Sequence, residues 1–194
     1  MTCCEHCRSH VCVLGRRAVV MTLILMMSPC RLWPQVVEEY QIKSVYLERF
    51  TRFIDWPENS AVNDTAIPFI IGVVGRNPFG SILEKDYAHH RIKDKRVEIR
   101  YCDDLERIEG CHLLFIADSE KHGLDEILER VRGKAVLMVG DTQGFAHAGV
   151  HINFYRSGDK IRFKINIDAV REAGLEVASL LLDYAQVVRE GGER

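Results

Sequence analysis

The chain has 194 residues, which suits one domain and leaves a remainder too short for a second. Hydrophobic residues make up 47% and charged residues 28%, a balance that supports a packed core and argues against long disorder. The formal net charge is −2 with no concentrated run of one sign, so a dedicated nucleic-acid binder, which needs a basic face, is not expected.

The first segment reads as an export signal. Arg8, Arg16 and Arg17 precede the apolar run Ala18 to Met27, and Ser28-Pro29-Cys30 follows. A run of about ten residues crosses roughly half of the hydrocarbon core, so a permanent membrane anchor is the weaker reading. No clean small-x-small triplet marks a cleavage site. Cys30 invites a lipoprotein reading, but Met27 and Pro29 are unlike the small residues such a site favours. Five of the seven cysteines (Cys3, Cys4, Cys7, Cys12, Cys30) lie in this segment. Cys4 and Cys7 have the spacing of half a zinc knuckle, with His6 and His10 nearby, yet no second pair follows to close a tetrahedron. An unusual charged flank is the simpler explanation. Residues 1–35 are therefore expected to be a signal segment and linker, and residues 36–190 the folded domain.

A helix is expected from about Val37 to Ile54. Ile42, Tyr46, Phe50, Phe53 and Ile54 recur at three- and four-residue intervals and make one apolar stripe, with Lys43, Glu48, Arg49 and Arg52 on other faces. Trp56-Pro57 stops it. Pro68 to Gly75 is a short, continuous apolar run and reads as a strand buried on both faces. Further strands are expected at Val97 to Tyr101, Leu113 to Ile116 and Ala135 to Val139. Helices separate them at Phe79 to Ala88, Asp104 to Ile108 and Gly123 to Arg132. Strand alternating with helix implies right-handed crossovers and a mostly parallel sheet.

The ending differs. Val150 to Tyr155 and Ile161 to Ile165 alternate at period two around Ser157-Gly158-Asp159, which reads as an antiparallel hairpin at the sheet's edge. Asn166 or Asp168 is placed to cap the next helix, Gly174 breaks it, and a last helix is expected to carry Val177, Leu180, Leu181, Tyr184, Ala185 and Val188 on one side.

These pieces, in this order, resemble a known pattern. An aromatic helix ends in Trp56-Pro57, and a strand Ile71-Gly72-Val73-Val74-Gly75 runs into Asn77-Pro78-Phe79. Cys111 to Ile116 precedes Ser119-Glu120, and Gly144-Phe145-Ala146 leads through Gly149 to Ile152-Asn153-Phe154. Arg162 to Ile167 leads to Ala173-Gly174-Leu175, and Leu181-Leu182 with Ala185 closes the chain. Over nearly all of residues 40 to 189 the chain resembles the YfiR-like family. The resemblance implies a Rossmann-like three-layer α/β fold, with a mostly parallel sheet and the C-terminal antiparallel hairpin. It also implies a periplasmic location and a tendency to form homodimers. The implied role is regulatory: binding and repressing a membrane signalling protein, a diguanylate cyclase or another membrane sensor, through its periplasmic segment. Released repression would raise cyclic-di-GMP. The family offers no catalytic motif, so no enzyme activity, cofactor or metal is implied.

Family members are linked to disulfides. Cys111 matches a position where the pattern carries cysteine, whereas Cys102 matches none securely. A Cys102–Cys111 bridge would close a short loop and stabilise by about 2–3 kcal/mol if unstrained, and an exported chain permits one. Against it, the ends of adjacent parallel strands often lie at opposite edges of the sheet. Cys111 as a small buried hydrophobe and Cys102 as a surface thiol is the plainer reading.

Catalytic readings are weaker. Open parallel sheets bind ligands at the carboxyl ends of their strands, which here carry Asn77, Asp103, Asp104, Asp118, Ser119, Glu120, Asp141 and Thr142. Phosphoryl chemistry also needs a lysine after a last parallel strand, where the hairpin stands instead. Gly72-x-x-Gly75 lacks the third glycine of a dinucleotide fingerprint. His147 and His151 are spaced for a helix, but Gly149 argues against one, and His89-His90 reads as a solvated turn. Two features suit binding better. Tyr40, Tyr46, Phe50, Phe53 and Trp56 make the first helix rich in the aromatics that anchor interfaces, with Tyr46, Phe50, Phe53 and Trp56 the candidate contacts; simple coverage of the sheet is the competing reading. The hairpin edge, guarded by Lys160, Arg162 and Lys164, is open to strand pairing or to an acidic partner. A periplasmic small-ligand receptor, or an enzyme of unrecognised type using the loops after the parallel strands, remains the alternative.

Overall fold

The computed structural model describes residues 32–189. The signal run, the Cys/His cluster and Cys30 lie outside the described residues. The chain divides after Val36, and the sheet belongs to the unit Val37–Arg194; the first turns of the leading helix precede that division.

Helix α1 spans Leu32–Phe53, so much of the stretch expected to be a linker is helical. It runs directly into β1, the two residues Ile54–Asp55. Strand β2, Phe69–Val74, is buried at all six positions, as its unbroken apolar run requires. Helix α2 (Ile82–Tyr87) is shorter than expected. Strand β3 (Arg91–Ile92) turns through Lys93 and Asp94, both at positive φ, into β4 (Lys95–Cys102). A 3₁₀ turn over Leu105–Ile108 is capped by Asp104, whose carboxylate accepts from the Arg107 amide. Then come β5 (Leu113–Ile116), α3 (Leu124–Val131), β6 (Leu137–Gly140), β7 (Ile152–Ser157) and β8 (Lys160–Asn166). Asn166 caps α4 (Ile167–Glu172) by accepting from the Ala169 amide at 3.0 Å. The chain ends in β9 (Glu176–Val177), α5 (Ser179–Leu182) and β10 (Gln186–Val188).

The molecule is a mixed α/β protein with a mostly parallel eight-stranded sheet and few helices. The strand order is β10-β8-β7-β6-β5-β2-β4-β3, and β1 pairs separately with β9. Only β7–β8 and β3–β4 are antiparallel within the large sheet. One core lies on the face covered by α1 and α2, where Leu47, Phe50, Leu83 and Tyr87 meet Phe69, Ile71, Val73, Phe115, Val139, Phe154 and Phe163. The second lies on the other face, where Leu124, Ile127 and Val131 of α3 meet Ile70, Val74, Leu114, Ile116 and Met138.

The structure corrects two expectations. The last helix does not form as expected: only α5 is helical, and Gln186-Val187-Val188 instead joins β8 in parallel, Gln186 opposite Lys164. Pairing to an existing strand outweighs the helical spacing of the side chains. In consequence β8 is not an edge, and Lys160, Arg162 and Lys164 guard none; the open edges belong to β10 and to β4 beyond its short contact with β3.

Candidate functional site

Helix α1 is turned relative to the expected stripe. Lys43, Ser44, Leu47, Phe50 and Thr51 face inward, and Ile42 is exposed. The cause is a carboxylate about a hundred residues away. Lys43 Nζ lies 2.6 Å from Asp141 Oδ2 at the end of β6 and 2.6 Å from Glu39 Oε1, with the Lys43 and Asp141 side chains only 4% and 7% exposed. Tyr40 donates its hydroxyl to the same Asp141 oxygen at 2.8 Å, and the ammonium stands 4.2 Å from the Tyr40 ring centroid. Burial, followed by the Asp141 carboxylate, pushes the Tyr40 phenol above its ordinary range, so it stays a donor. Arg156 of β7 reaches Glu39 at 3.3 Å. On the other flank Asp86 accepts from Gln41 and Ser44, and Tyr87 donates to the Ser44 carbonyl at 2.7 Å. Two polar seams thus fix the rotation of α1 about its axis.

What α1 leaves outside mixes the polar side chains of Glu38, Gln41, Arg49 and Arg52 with three aliphatic ones. Val37, Ile42 and Val45 are 49%, 41% and 45% exposed. Of the four candidate contacts, Phe50 and Trp56 are buried in the chain's own core, and Tyr46 and Phe53 are half-buried against it. Phe50 packs on Phe154 and Phe163 at 5.5 and 5.0 Å between centroids. Phe50 and Trp56 are thus covered, and the exposed apolar surface of α1 is aliphatic. A second group of exposed apolar side chains, Leu180, Tyr184 and Val187, flanks β10.

The carboxyl ends of the strands do not gather the eight polar residues into one centre. The loops after β2 and β5 are stitched together: Ser119 Oγ accepts from the Arg76 amide at 2.9 Å. Gly75, at φ +86°, leaves the room that Ser119 and Glu120 occupy. Phe79 stacks edge-on between Phe115 (4.7 Å) and Tyr40 (5.1 Å) in the core on the α1 face. Asp104 is spent on its cap, and exposed Asp103 faces Arg107 at 3.5 Å. An open cleft of about 440 Å³ remains beside them, lined by Arg76, Cys102, Asp103, Asp104, Glu120 and Glu126 among others. Among the described residues no three His, Cys, Asp or Glu side chains converge as a metal site.

The histidines separate. His147 is exposed and His151 buried, so the spaced pair does not meet a common ligand. His151 Nδ1 accepts from the Met138 amide at 3.1 Å, and burial lowers its pKa to about 3. His112 does the same for β2, accepting from the Ile70 amide at 2.9 Å and stacking on Phe69; burial, with Lys95 nearby, lowers it to about 4. Both are neutral acceptors that finish strands. Nothing in their sequence spacing signals this role.

Cys102 and Cys111 are free and buried. Gly72 of β2 lies between their strands, and a Cβ there would stand 2.7 Å from Cys111 Sγ and 3.4 Å from Cys102 Sγ. The missing side chain lets the two thiols meet across β2, although one ends its strand and the other precedes its own. Both also lie against the Arg107 carbonyl, at 3.4 and 3.7 Å. Each thiol feels the other: the neighbouring Cys111 draws the Cys102 pKa down, and Cys102 pushes that of Cys111 up.

The geometry defines a mixed α/β protein with an open cleft at its strand ends and exposed aliphatic side chains on the outer face of its first helix. The chain belongs to the YfiR/HmsC-like family, whose model matches residues 40–186. Comparison with curated proteins found no match. Among solved structures the chain is similar to an ABC domain in complex with L-Trp from Streptococcus pneumonia. The two share 9% identity and a TM-score of 0.49, over 73% of this chain and 61% of that one. The family is periplasmic and generally non-enzymatic, and it points to regulation of diguanylate cyclase signalling. Among the described residues no helix is long and apolar enough to cross a membrane.

Proposed function

We propose that this protein is exported by its N-terminal signal to the periplasm. There residues 36–190 act as a Rossmann-like regulatory domain that binds and represses a membrane signalling protein, a diguanylate cyclase, through its periplasmic sensor segment. Family membership supports the role. The observation that carries the binding surface is the outer face of α1. Its inner face is tied to Asp86 and Asp141, yet Val37, Ile42 and Val45 stand in solvent among the exposed polar residues Glu38, Gln41 and Arg49, with half-buried Tyr46 and Phe53 on the same helix. Large apolar side chains held rigidly at a surface are what an interface core requires. The partner meets these side chains with an apolar segment of its own.

The test uses the sensor segment of a diguanylate cyclase encoded beside this gene. Ile42→Asp and Val45→Asp should weaken binding at least about tenfold, because a buried charge displaces an apolar contact, while the melting temperature stays put. Unchanged affinity in both variants would move the interface elsewhere; no binding by the parent protein would remove the partner. The 440 Å³ cleft at the strand ends favours a second reading, a small-ligand receptor. A metabolite that raises the melting temperature, and fails to do so in Asp104→Ala, would support it.

We further propose that export leaves Cys102 and Cys111 bridged, since the two sulfurs already meet over Gly72. Thiol counting on the denatured, unreduced mature protein should find neither reactive; two free thiols would refute the bridge.

A further inference from the structure

The amino ends of the strands carry a recess of about 140 Å³, sharing no lining residue with the cleft at their carboxyl ends. It lies among the end of α3, the turn Gly133-Lys134 before β6, the loop before β7 and the end of α4. Leu128, Val131 and Met138 place it on the face of the sheet opposite α1. The space exists because four lining positions, Ala148, Gly149, Ala169 and Ala173, are small. A cavity of this size takes a molecule of about six heavy atoms. One polar side chain in its wall is left without a partner. His151 is 1% exposed and its Nδ1 accepts from the Met138 amide, so the neutral ring carries its proton on Nε2. Among the described residues no hydrogen bond uses that N–H, and the ring lines the recess. A buried donor without an acceptor is unfavourable, so a ligand that brings an acceptor gains there.

We propose that this recess binds a short-chain aliphatic carboxylate, whose carboxylate accepts the His151 Nε2–H and whose chain lies against Leu128, Val131 and Met138. An ionised carboxylate only accepts, which matches the lone donor in an otherwise aliphatic wall. Taking such a charge out of water is costly unless it is both hydrogen-bonded and paired. The recess offers pairing as well: Arg132 and Lys134 line it against one acid, Glu172, so the positive charge is in excess. Each cation is held by an exposed pair, Arg132 to Glu129 at 2.9 Å and Lys134 to Glu109 at 3.3 Å. Exposed pairs are weak, so both cations are free to turn toward an anion. A cationic ligand would meet the same two charges and a second donor, and an uncharged one would leave the cations unused. The inference stands apart from the receptor-binding reading, because the recess and the outer face of α1 lie on opposite sides of the sheet.

Ring nitrogen NMR signals of the histidine-labelled protein test it, with sodium butanoate as the probe and butan-1-ol as its uncharged counterpart. The His151 signal is assigned as the one missing in His151→Gln. Butanoate should shift it saturably, with a dissociation constant of about 1 millimolar for so few heavy atoms, and should raise the melting temperature. Butan-1-ol should bind at least about tenfold more weakly. Ala148→Leu, at an exposed position lining the recess, should fill it and raise the butanoate constant by about tenfold or more, with the melting temperature of the free protein unchanged. If that variant melts early, Lys134→Ala decides: it should weaken butanoate by about threefold or more and leave butan-1-ol as it was. A His151 signal unmoved by about 50 millimolar butanoate, equal binding of butan-1-ol, a folded Ala148→Leu protein that binds as the parent does, or a Lys134→Ala protein of unchanged butanoate affinity would each overturn the proposal.

Discussion

At the scale of single residues, the most consequential group is Lys43. A buried ammonium between two carboxylates holds α1 against the carboxyl end of β6. Taking away one partner leaves a buried charge without its counter-charge. Lys43→Ala should therefore cost about 3–5 kcal/mol in denaturant unfolding, whereas Arg52→Ala, on an exposed pair, should cost under about 1 kcal/mol. Equal small effects would mean that water reaches the Lys43 pair. The buried histidines set an acid limit. Their folded pKa values, about 4 for His112 and about 3 for His151, lie below the ordinary value near 6.5. The unfolded chain therefore binds protons first, and stability is fully present above about pH 6.5 and falls as the pH drops toward 4. A flat stability profile between pH 7 and 4, followed by urea unfolding, would contradict neutral buried imidazoles. Replacing His151 with Gln should flatten part of that slope.

At the scale of elements, Gly72 shows how one strand serves two others. Gly72→Ala sets a methyl group 2.7 Å from Cys111 Sγ and 2.8 Å from a Leu114 methyl carbon. It should destabilise by about 1–3 kcal/mol, the range for overpacking, and should slow oxidation of Cys102 to Cys111; a neutral effect would mean that β2 shifts freely. Continuous apolar runs made β2, β5 and much of β6 legible in the sequence, because a strand buried on both faces leaves no other composition possible. The facing of α1 was not legible. Ile42 and Lys43 are neighbours on the helix, and hydrophobicity alone points the isoleucine inward; Asp141 reverses the choice, and no local pattern announces a partner so far along the chain. The same holds at the carboxyl terminus. The spacing of Leu181, Tyr184 and Val188 reads as helix until β8 is in place to pair with Gln186-Val187-Val188. The meeting of the two cysteines depends on a third strand between theirs, so spacing could pose the bridge but not decide it. The polar residues at the strand ends are recognisable as candidates from the sequence, yet caps, stitched loops and the Lys43 pair use most of them locally.

On the scale of the whole molecule, sheet and helices serve as a rigid mount. The core on one face of the sheet holds α1 from beneath, the core on the other face backs the sheet, and Val37, Ile42 and Val45 of α1 are presented to solvent. Such a surface acts by occupying a partner, so its effect should depend on reaching the compartment where that partner's sensor segment lies. Cellular cyclic-di-GMP, measured in a strain lacking this gene and carrying either the full chain or a chain without residues 18–27, tests this directly. The full chain should return an elevated cyclic-di-GMP level to normal, and the shortened chain, kept in the cytosol, should not. An unchanged level on deletion, or equal repression by the shortened chain, would contradict regulation from the periplasm.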